Sequence, residues 1–156
     1  MSVESVKEYL KKFGMDNKVM EFEVSSATVE LAAQAVGVEP ARIAKTLSFK
    51  NNEGCILIVT AGDAKIDNPK FKKQFAMKAK MPSAEEVLEL VGHPVGGVCP
   101  FAVKDNVPVY LDVSMKRFDT VFPACGSGKS AIELTCDELF RCSGAREWID
   151  VCKDWE

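Results

Sequence analysis

Few residues in this chain have the type and setting to do chemistry, and the most informative is Lys45. If a strand begins slightly before it, alternation sets Ile43, Lys45, Leu47 and Phe49 on one face and Ala44, Thr46 and Ser48 on the other. An ammonium then stands among large apolar side chains, where lysine is almost never fully buried without a partner. Two outcomes are open. The head reaches a cleft, where lost hydration lowers its pKa and it can meet an anion or a developing oxyanion, or it snorkels to water from a sheet edge. A second feature is Gly92-His93-Pro94-Val95-Gly96-Gly97-Val98-Cys99-Pro100-Phe101, a rigid stretch poor in side chains. Such a loop lets main-chain N–H groups approach a ligand closely; a tight connection into the next strand reads equally well. The third is Gly126-Ser127-Gly128-Lys129-Ser130, which ends like a phosphate-binding loop. The glycine that such a loop needs five residues earlier is Pro123, and the following Ala131-Ile132-Glu133-Leu134 reads as a strand rather than a helix, so the nucleotide-triphosphatase reading fails. A glycine-flanked turn exposing Ser127 to a pocket, or a plain β-turn, both remain.

Other chemistries lack their residues. The single histidine, His93, precedes a proline and no G-x-S-x-G motif exists, so a Ser-His-Asp hydrolase is not expected. Asp112 reads as a helix cap. The six cysteines contain no C-x-x-C pair, and with one histidine they offer no zinc spacing; neither a metal nor a cofactor is expected. The opening Ser2-Val3-Glu4-Ser5 lacks a basic region followed by an apolar core, so the expectation is a cytoplasmic protein with reduced, mostly buried thiols. The longest apolar runs, such as Cys55–Thr60, are too short to cross a bilayer, and no membrane partner is expected.

Charge is unevenly spread. The net charge is −3, yet Lys65, Lys70, Lys72, Lys73, Lys78 and Lys80 face only Asp67 in their stretch, giving +5 there and −8 elsewhere. Such a patch can hold a polyanion locally, or it is a solvated helix face. The acidic whole argues against a general nucleic-acid binder, and DNA is not an expected partner.

The elements that must position these residues follow from periodicity and caps. At 156 residues, 47% apolar and 28% charged, without repeats or linkers, the chain is expected to form one domain over 1–156. A helix is predicted from about Ser2 to Phe13, stopped by Gly14, then a strand at Val19–Val24. A helix capped by Ser26 or Thr28 should run through Val36 to Gly37, and a turn starts at Pro40. Strands at Lys45–Phe49 and Cys55–Val59 should be joined by the turn 50–54. A lysine-rich helix should run from Asn68 to about Phe75, and another from the Ser83/Glu86 capping box to Val91 and Gly92. Strands are predicted near Val107–Leu111, Thr120–Phe122 and Ala131–Leu134, with a helix near Asp137–Cys142. Short strand connections among helices indicate an α/β chain of the α+β type, with helices packed on a mixed sheet rather than a doubly wound parallel one.

The same segments, in the same order, resemble the YbaK/EbsC family of aminoacyl-tRNA deacylases, related to the editing domain of bacterial prolyl-tRNA synthetases. The resemblance is carried by Ser26–Ala33 (SATVELAA), Ile43–Phe49 (IAKTLSF), Ile56–Gly62 (ILIVTAG), Val91–Phe101 (VGHPVGGVCPF), Val107–Asp112 (VPVYLD) and Gly126–Leu134 (GSGKSAIEL). It implies a barrel-like mixed sheet with flanking helices, and a pocket for the aminoacylated 3′ end of tRNA. It implies that Lys45 is the essential lysine, that Gly96–Pro100 is the G-x-x-x-P loop lying against the aminoacyl group, and that Gly126–Lys129 forms another pocket wall. The substrate-binding set implied is Ser26, Thr28, Thr46, Gly96, Gly97, Pro100, Gly126, Ser127 and Gly128. The six lysines would contact tRNA phosphates. The implied reaction is hydrolysis of a small amino acid, such as alanine or cysteine, from mischarged tRNA-Pro or another tRNA, with an aminoacyl-tRNA synthetase as a further partner. A non-catalytic module that binds tRNA or a synthetase, or a hydrolase of free aminoacyl esters or thioesters, are the competing expectations. Two positions depart from the pattern: Ala131 stands where some members have an acid, and the Gly126–Ser130 loop has no histidine. Both bear on which amino acid fits.

Overall fold

A computed structural model describes residues 3–52 and 54–155. In chain order the elements are α1 (Val3–Leu10), β1 (Met20–Glu21), α2 (Val29–Val36), β2 (Ile43–Asn51), β3 (Gly54–Ala61), β4 (Lys65–Ile66), α3 (Asn68–Phe75) and α4 (Ala84–Val91), then β5 (Val109–Asp112), β6 (Thr120–Pro123), β7 (Ser130–Ala131), β8 (Leu134–Thr135), α5 (Cys136–Ser143), β9 (Trp148–Ile149) and β10 (Cys152–Lys153). Short 3-10 turns fill several connections, among them Pro40–Arg42 and Val113–Arg117.

The main sheet has six strands in the order β8-β6-β2-β3-β5-β9. It curls into a half-barrel of mixed strand direction, flanked by the helices. The long hairpin of β2 and β3 is its spine, paired antiparallel from Ala44↔Ala61 to Asn51↔Gly54. β5 lies parallel to β3, and β9 parallel to β5. β3 is buried along almost its whole length, which is why Cys55–Ala61 is continuously apolar apart from Thr60. On the other flank, β6 runs beside β2 only at Ile43↔Phe122 and Ala44↔Pro123. From Lys45 onward, no strand among the described residues lies along the outer edge of β2. The sheet splits there.

Caps fix the helices that frame the split. Thr28 accepts a hydrogen bond from Leu31 N at the start of α2, and the Ser83/Glu86 capping box opens α4. α5 has a second capping box, Thr135/Glu138. Several sequence expectations need adjustment. The first helix becomes 3-10 after Leu10, and its predicted Ser2 lies outside the described residues. The predicted strand Val19–Val24 shrinks to Met20–Glu21, because β7 offers it only two partners. The predicted strand Ala131–Leu134 is two short strands in different sheets; between them Ile132 is fully buried and its N–H turns to Pro123 O at 3.0 Å. The turn 50–54 is tighter than expected, since Asn51 already pairs with Gly54; Glu53 lies outside the described residues. Sequence patterning did not reveal the small β4–β10 sheet.

Candidate active site

The split between β2 and β6 opens into a cavity of about 360 Å³, lined by β2 from Ile43 to Ser48, by Val29 and Ala32 of α2, by Met81, Pro82 and Val87, by Val95, Gly96 and Val98, and by Phe122, Ala124, Ser130 and Ala131. The loop Ser26-Ala27-Thr28 completes it. Both faces of β2 contribute, as expected where the strand edge itself is uncovered. Most of the wall is apolar. Of the described residues lining it, Lys45 alone carries charge.

Lys45 is half-buried, and its ammonium donates to the carbonyls of Gly62 at 3.4 Å and Ala64 at 2.5 Å, just past the end of β3. Burial lowers its pKa; Asp63, Glu30 and Cys152 oppose the shift, and Lys65 adds to it. The ammonium therefore has neutral oxygen partners and weakly compensated charge, the condition in which a cation attracts an incoming anion or carbonyl oxygen. Thr46 lies beside it, with a buried Oγ1 that has no hydrogen-bond partner among the described residues. A buried hydroxyl without a partner is costly unless a ligand atom meets it.

Three backbone segments close over this chamber. Ser26 N donates to Gly128 O at 2.6 Å, and Ser26 Oγ donates to Ser130 O at 3.4 Å. Gly96, at φ +96, brings its main chain against Ala27, to which Gly128 is also adjacent. Gly97 touches the other glycine loop so closely that a Cβ there would lie 2.9 Å from Gly126 C and O and from Ser127 Cα. Gly126 itself has φ +92. The first loop is laced internally: His93, fully buried, donates from Nε2 to Phe101 O at 2.7 Å. Phe101 O can only accept, so Nε2 carries the proton and Nδ1 is left with a lone pair and no partner among the described residues.

The residues named from sequence sort into three groups. Lys45, Thr46, Ser26, Thr28 and Gly96 line the cavity. Gly97, Gly126 and Gly128 stand behind its wall as loop-to-loop contacts. Ser127 and Pro100 face elsewhere: Ser127 Oγ bonds within its own turn to Ser130 Oγ at 3.1 Å and lines an outer depression with Gly126, Gly128 and Lys129, while Pro100 borders a groove near Tyr9. Sequence reasoning left out Ser48 and Ser130, both buried and both on the cavity wall. Alternation along β2 contains the clue for Ser48, since it shares a face of small and polar side chains with Ala44 and Thr46. Of the lysines, Lys65, Lys72, Lys73, Lys78 and Lys80 are exposed, whereas Lys70 is engaged by Asp150 at 3.1 Å and Cys152 O at 3.0 Å. Lys80 directly precedes Met81 at the cavity mouth, and Lys65 lies close enough to Lys45 to lower its pKa.

Thiol catalysis finds no support here. Cys99 is pushed up to about 12 by burial, Cys125 well above its ordinary value, and Cys55, Cys136, Cys142 and Cys152 are raised in the same way. None has the depressed pKa of an attacking thiolate. Among the described residues no group of three or more His, Cys, Asp or Glu side chains is placed to hold a metal ion. Nor is any described helix long and apolar enough to cross a membrane.

The profile of the aminoacyl-tRNA editing domain matches residues 23–142. The chain belongs to that family. The match takes in the whole cavity wall just described. The uncharacterized Bacillus subtilis protein YwhH is 58% identical over 157 residues, covering 100% of both chains. A proline–tRNA ligase of Kosmotoga olearia is 31% identical over 125 residues, which are 80% of this chain but only 21% of the ligase. This editing domain therefore corresponds to one segment of a much longer enzyme. Among solved structures, a candidate trans-editing enzyme for prolyl tRNA synthetase superposes with a TM-score of 0.87 at 31% identity, covering 97% of this chain and 96% of that one.

Proposed function

We propose that the protein is a trans-acting hydrolase that removes a small amino acid, such as alanine or cysteine, from mischarged tRNA, with tRNA-Pro as the first candidate and the cytoplasm as its place of action. One observation carries the reading: in a chain of the editing family, the cavity at the sheet split offers a single cation, Lys45, inside an otherwise apolar and hydroxyl-bearing wall under glycine-rich main chain. An aminoacyl ester is already activated, so positioning and electrostatics suffice without a covalent intermediate. Lys45 anchors the 3′-terminal nucleotide or stabilises negative charge on the ester carbonyl. Thr46 Oγ1 meets a polar atom of the substrate, and main-chain N–H groups of the Gly96 loop orient the ester. Water attacks, assisted by the neighbouring ribose hydroxyl of the substrate. The ester bond breaks to give free amino acid and uncharged tRNA. The five exposed lysines between residues 65 and 80 contact acceptor-stem phosphates, an attraction that salt weakens. A synthetase is a further candidate partner, since the domain corresponds to a segment of proline–tRNA ligases.

The test is a panel of mischarged tRNAs incubated with wild type and with Lys45→Ala. Release of one or a few small amino acids by wild type is expected. Loss of at least about 100-fold in the folded variant is also expected, the scale of removing a group that stabilises developing charge. Retention of tRNA with no turnover on any member would replace the hydrolase by a binding module.

A further inference from the structure

The ammonium of Lys45 is held by main-chain oxygens, so its position is only as fixed as the turn that supplies them. That turn joins β3 to β4, and its Gly62 and Ala64 carbonyls accept hydrogen bonds from the Lys45 ammonium. Among the described residues no carboxylate makes an ion pair with Lys45. The inner side of the turn is packed without slack, since a Cβ on Gly62 would stand 2.1 Å from Pro40 O. Its outer side is gripped by Arg117. The guanidinium donates to Asp63 in a two-pronged pair, Nη1 to Oδ2 at 3.1 Å and Nη2 to Oδ1 at 2.6 Å. The same group donates from Nη1 to Trp155 O at 2.7 Å and from Nε to Ser114 O at 2.8 Å. Ser114 in turn accepts Ala61 N at 3.1 Å, and the guanidinium lies over the Trp155 ring at 5.1 Å. A planar fork with its donors spread over three chain segments fixes their relative placement more than it adds stability.

We propose that Arg117 is a positioning residue for Lys45, acting through Asp63 and the 62–64 turn, with Trp155, just past β10, as its outer support. None of Asp63, Arg117 and Trp155 lines the cavity, so the brace works from outside. The support is also anchored independently: Cys152 pairs with Ile66, and Asp67 N donates to Val151 O at 2.8 Å. Residues 143–155 lie beyond the stretch matched by the editing-domain profile. In this chain, then, a segment outside the matched domain holds the lysine inside it. The inference rests on the reading of Lys45 as the working cation of the cavity.

Arg117→Gln, Arg117→Lys and Asp63→Asn are compared with wild type and Lys45→Ala. All three replace partly exposed side chains, and their melting temperatures are expected within about 4 °C of wild type. The direct readout is the Lys45 Cε resonance in protein labelled with carbon-13 lysine, assigned by its loss in Lys45→Ala. In wild type it should titrate below the ordinary lysine range. In Arg117→Gln the loosened turn lets the ammonium regain water, and its titration should move back toward that range, with Arg117→Lys in between. With alanine-charged tRNA-Pro as substrate, Arg117→Gln should lower kcat by about 10- to 100-fold with KM changed by less than about twofold. An unchanged Lys45 titration in Arg117→Gln and Asp63→Asn overturns the brace whatever turnover does. A moved titration with wild-type kcat also overturns it, because the held position would then not matter to the reaction. Full turnover in Lys45→Ala strikes down the functional reading instead, and the resonance alone then judges whether Arg117 holds the lysine.

Discussion

The contact between the two glycine loops makes Gly97→Ala a sharp test of how the chamber is closed. Gly97 has an ordinary φ, so the added methyl is not opposed by backbone conformation; it is opposed by Gly126 C and O and Ser127 Cα, each 2.9 Å from the new Cβ. Carbon atoms rest at about 3.5–4.0 Å, so the loops must part by about half an ångström or more. All three opposing atoms are backbone, and no flexible side chain can yield. Overpacking of this kind costs about 1–3 kcal/mol. With a urea dependence of about 2 kcal/mol per molar, the unfolding midpoint should fall by roughly 0.5–1.5 M. If the loops separate instead of straining, the Gly96 main chain moves with them, and a displacement near 1 Å can lower turnover by about 100-fold. Urea titration followed by tryptophan fluorescence, and deacylation measured on the same preparation, cover both routes. Two controls isolate the cause. Gly128→Ala meets nothing nearer than the Ala27 Cβ at 3.3 Å, a contact relieved by a few tenths of an ångström, and should cost less than Gly97→Ala. Gly37→Ala has open space around it but φ +78, so it should lose about 1 kcal/mol through backbone strain and leave turnover untouched. A Gly97→Ala protein with wild-type midpoint and wild-type turnover would refute the close approach of the loops.

Two further outcomes follow from buried polar groups. His93 is the only histidine, and burial lowers its pKa below 6.5, so as pH falls past 6.5 the unfolded chain takes up a proton that the folded chain refuses. Stability is fully present above 6.5 and should decline below it, toward the folded value; urea midpoints of His93→Gln should show a shallower decline over the same interval. Asp112 is fully buried and accepts from Ser114 N at Oδ2 and from Val151 N at Oδ1, both at 2.9 Å. Asp112→Asn keeps one acceptor and turns an NH₂ toward the other N–H, so it should lose about 2–3 kcal/mol by denaturant titration.

How far the site could be read in advance depended on which contacts made it. Local signals were sufficient for α2, α3 and α4, because Thr28, Asp67 and Ser83 each cap their own helix and the stop at Gly37 or Gly92 is a left-handed residue. The β2–β3 hairpin was legible from its apolar runs, though both strands are longer at each end than propensity alone indicated. Long-range pairing was not legible. Nothing local in Cys152 or Trp155 announces that they return to the 62–66 region, and Arg117 reads as one more surface charge until the fold sets it opposite Asp63. Asp112 was read as a cap, which it is for Ser114 N, but its second bond to Val151 N spans 39 residues and has no sequence mark. Ser127, left open by the sequence between a pocket-facing turn and a plain β-turn, has its hydroxyl bonded within its own turn, a contact that spacing alone does not reveal.

Lys45 was conspicuous because it interrupts an apolar alternation, and the sheet shows why the interruption is tolerated there and nowhere earlier. At Ala44 a neighbouring strand lies on each side of β2, the residue is buried, and a charge there would be crowded among apolar groups. One residue later β6 has left, the edge faces a cavity, and the turn after β3 offers two carbonyl oxygens to an ammonium. The change from apolar to cationic coincides with the change from three strands abreast to two. Conflict between a local pattern and a residue type tends to mark a functional position because stability alone would have removed it. Here the physical reason is topological: the strand departure that opens the cavity also makes room for the charge on its wall.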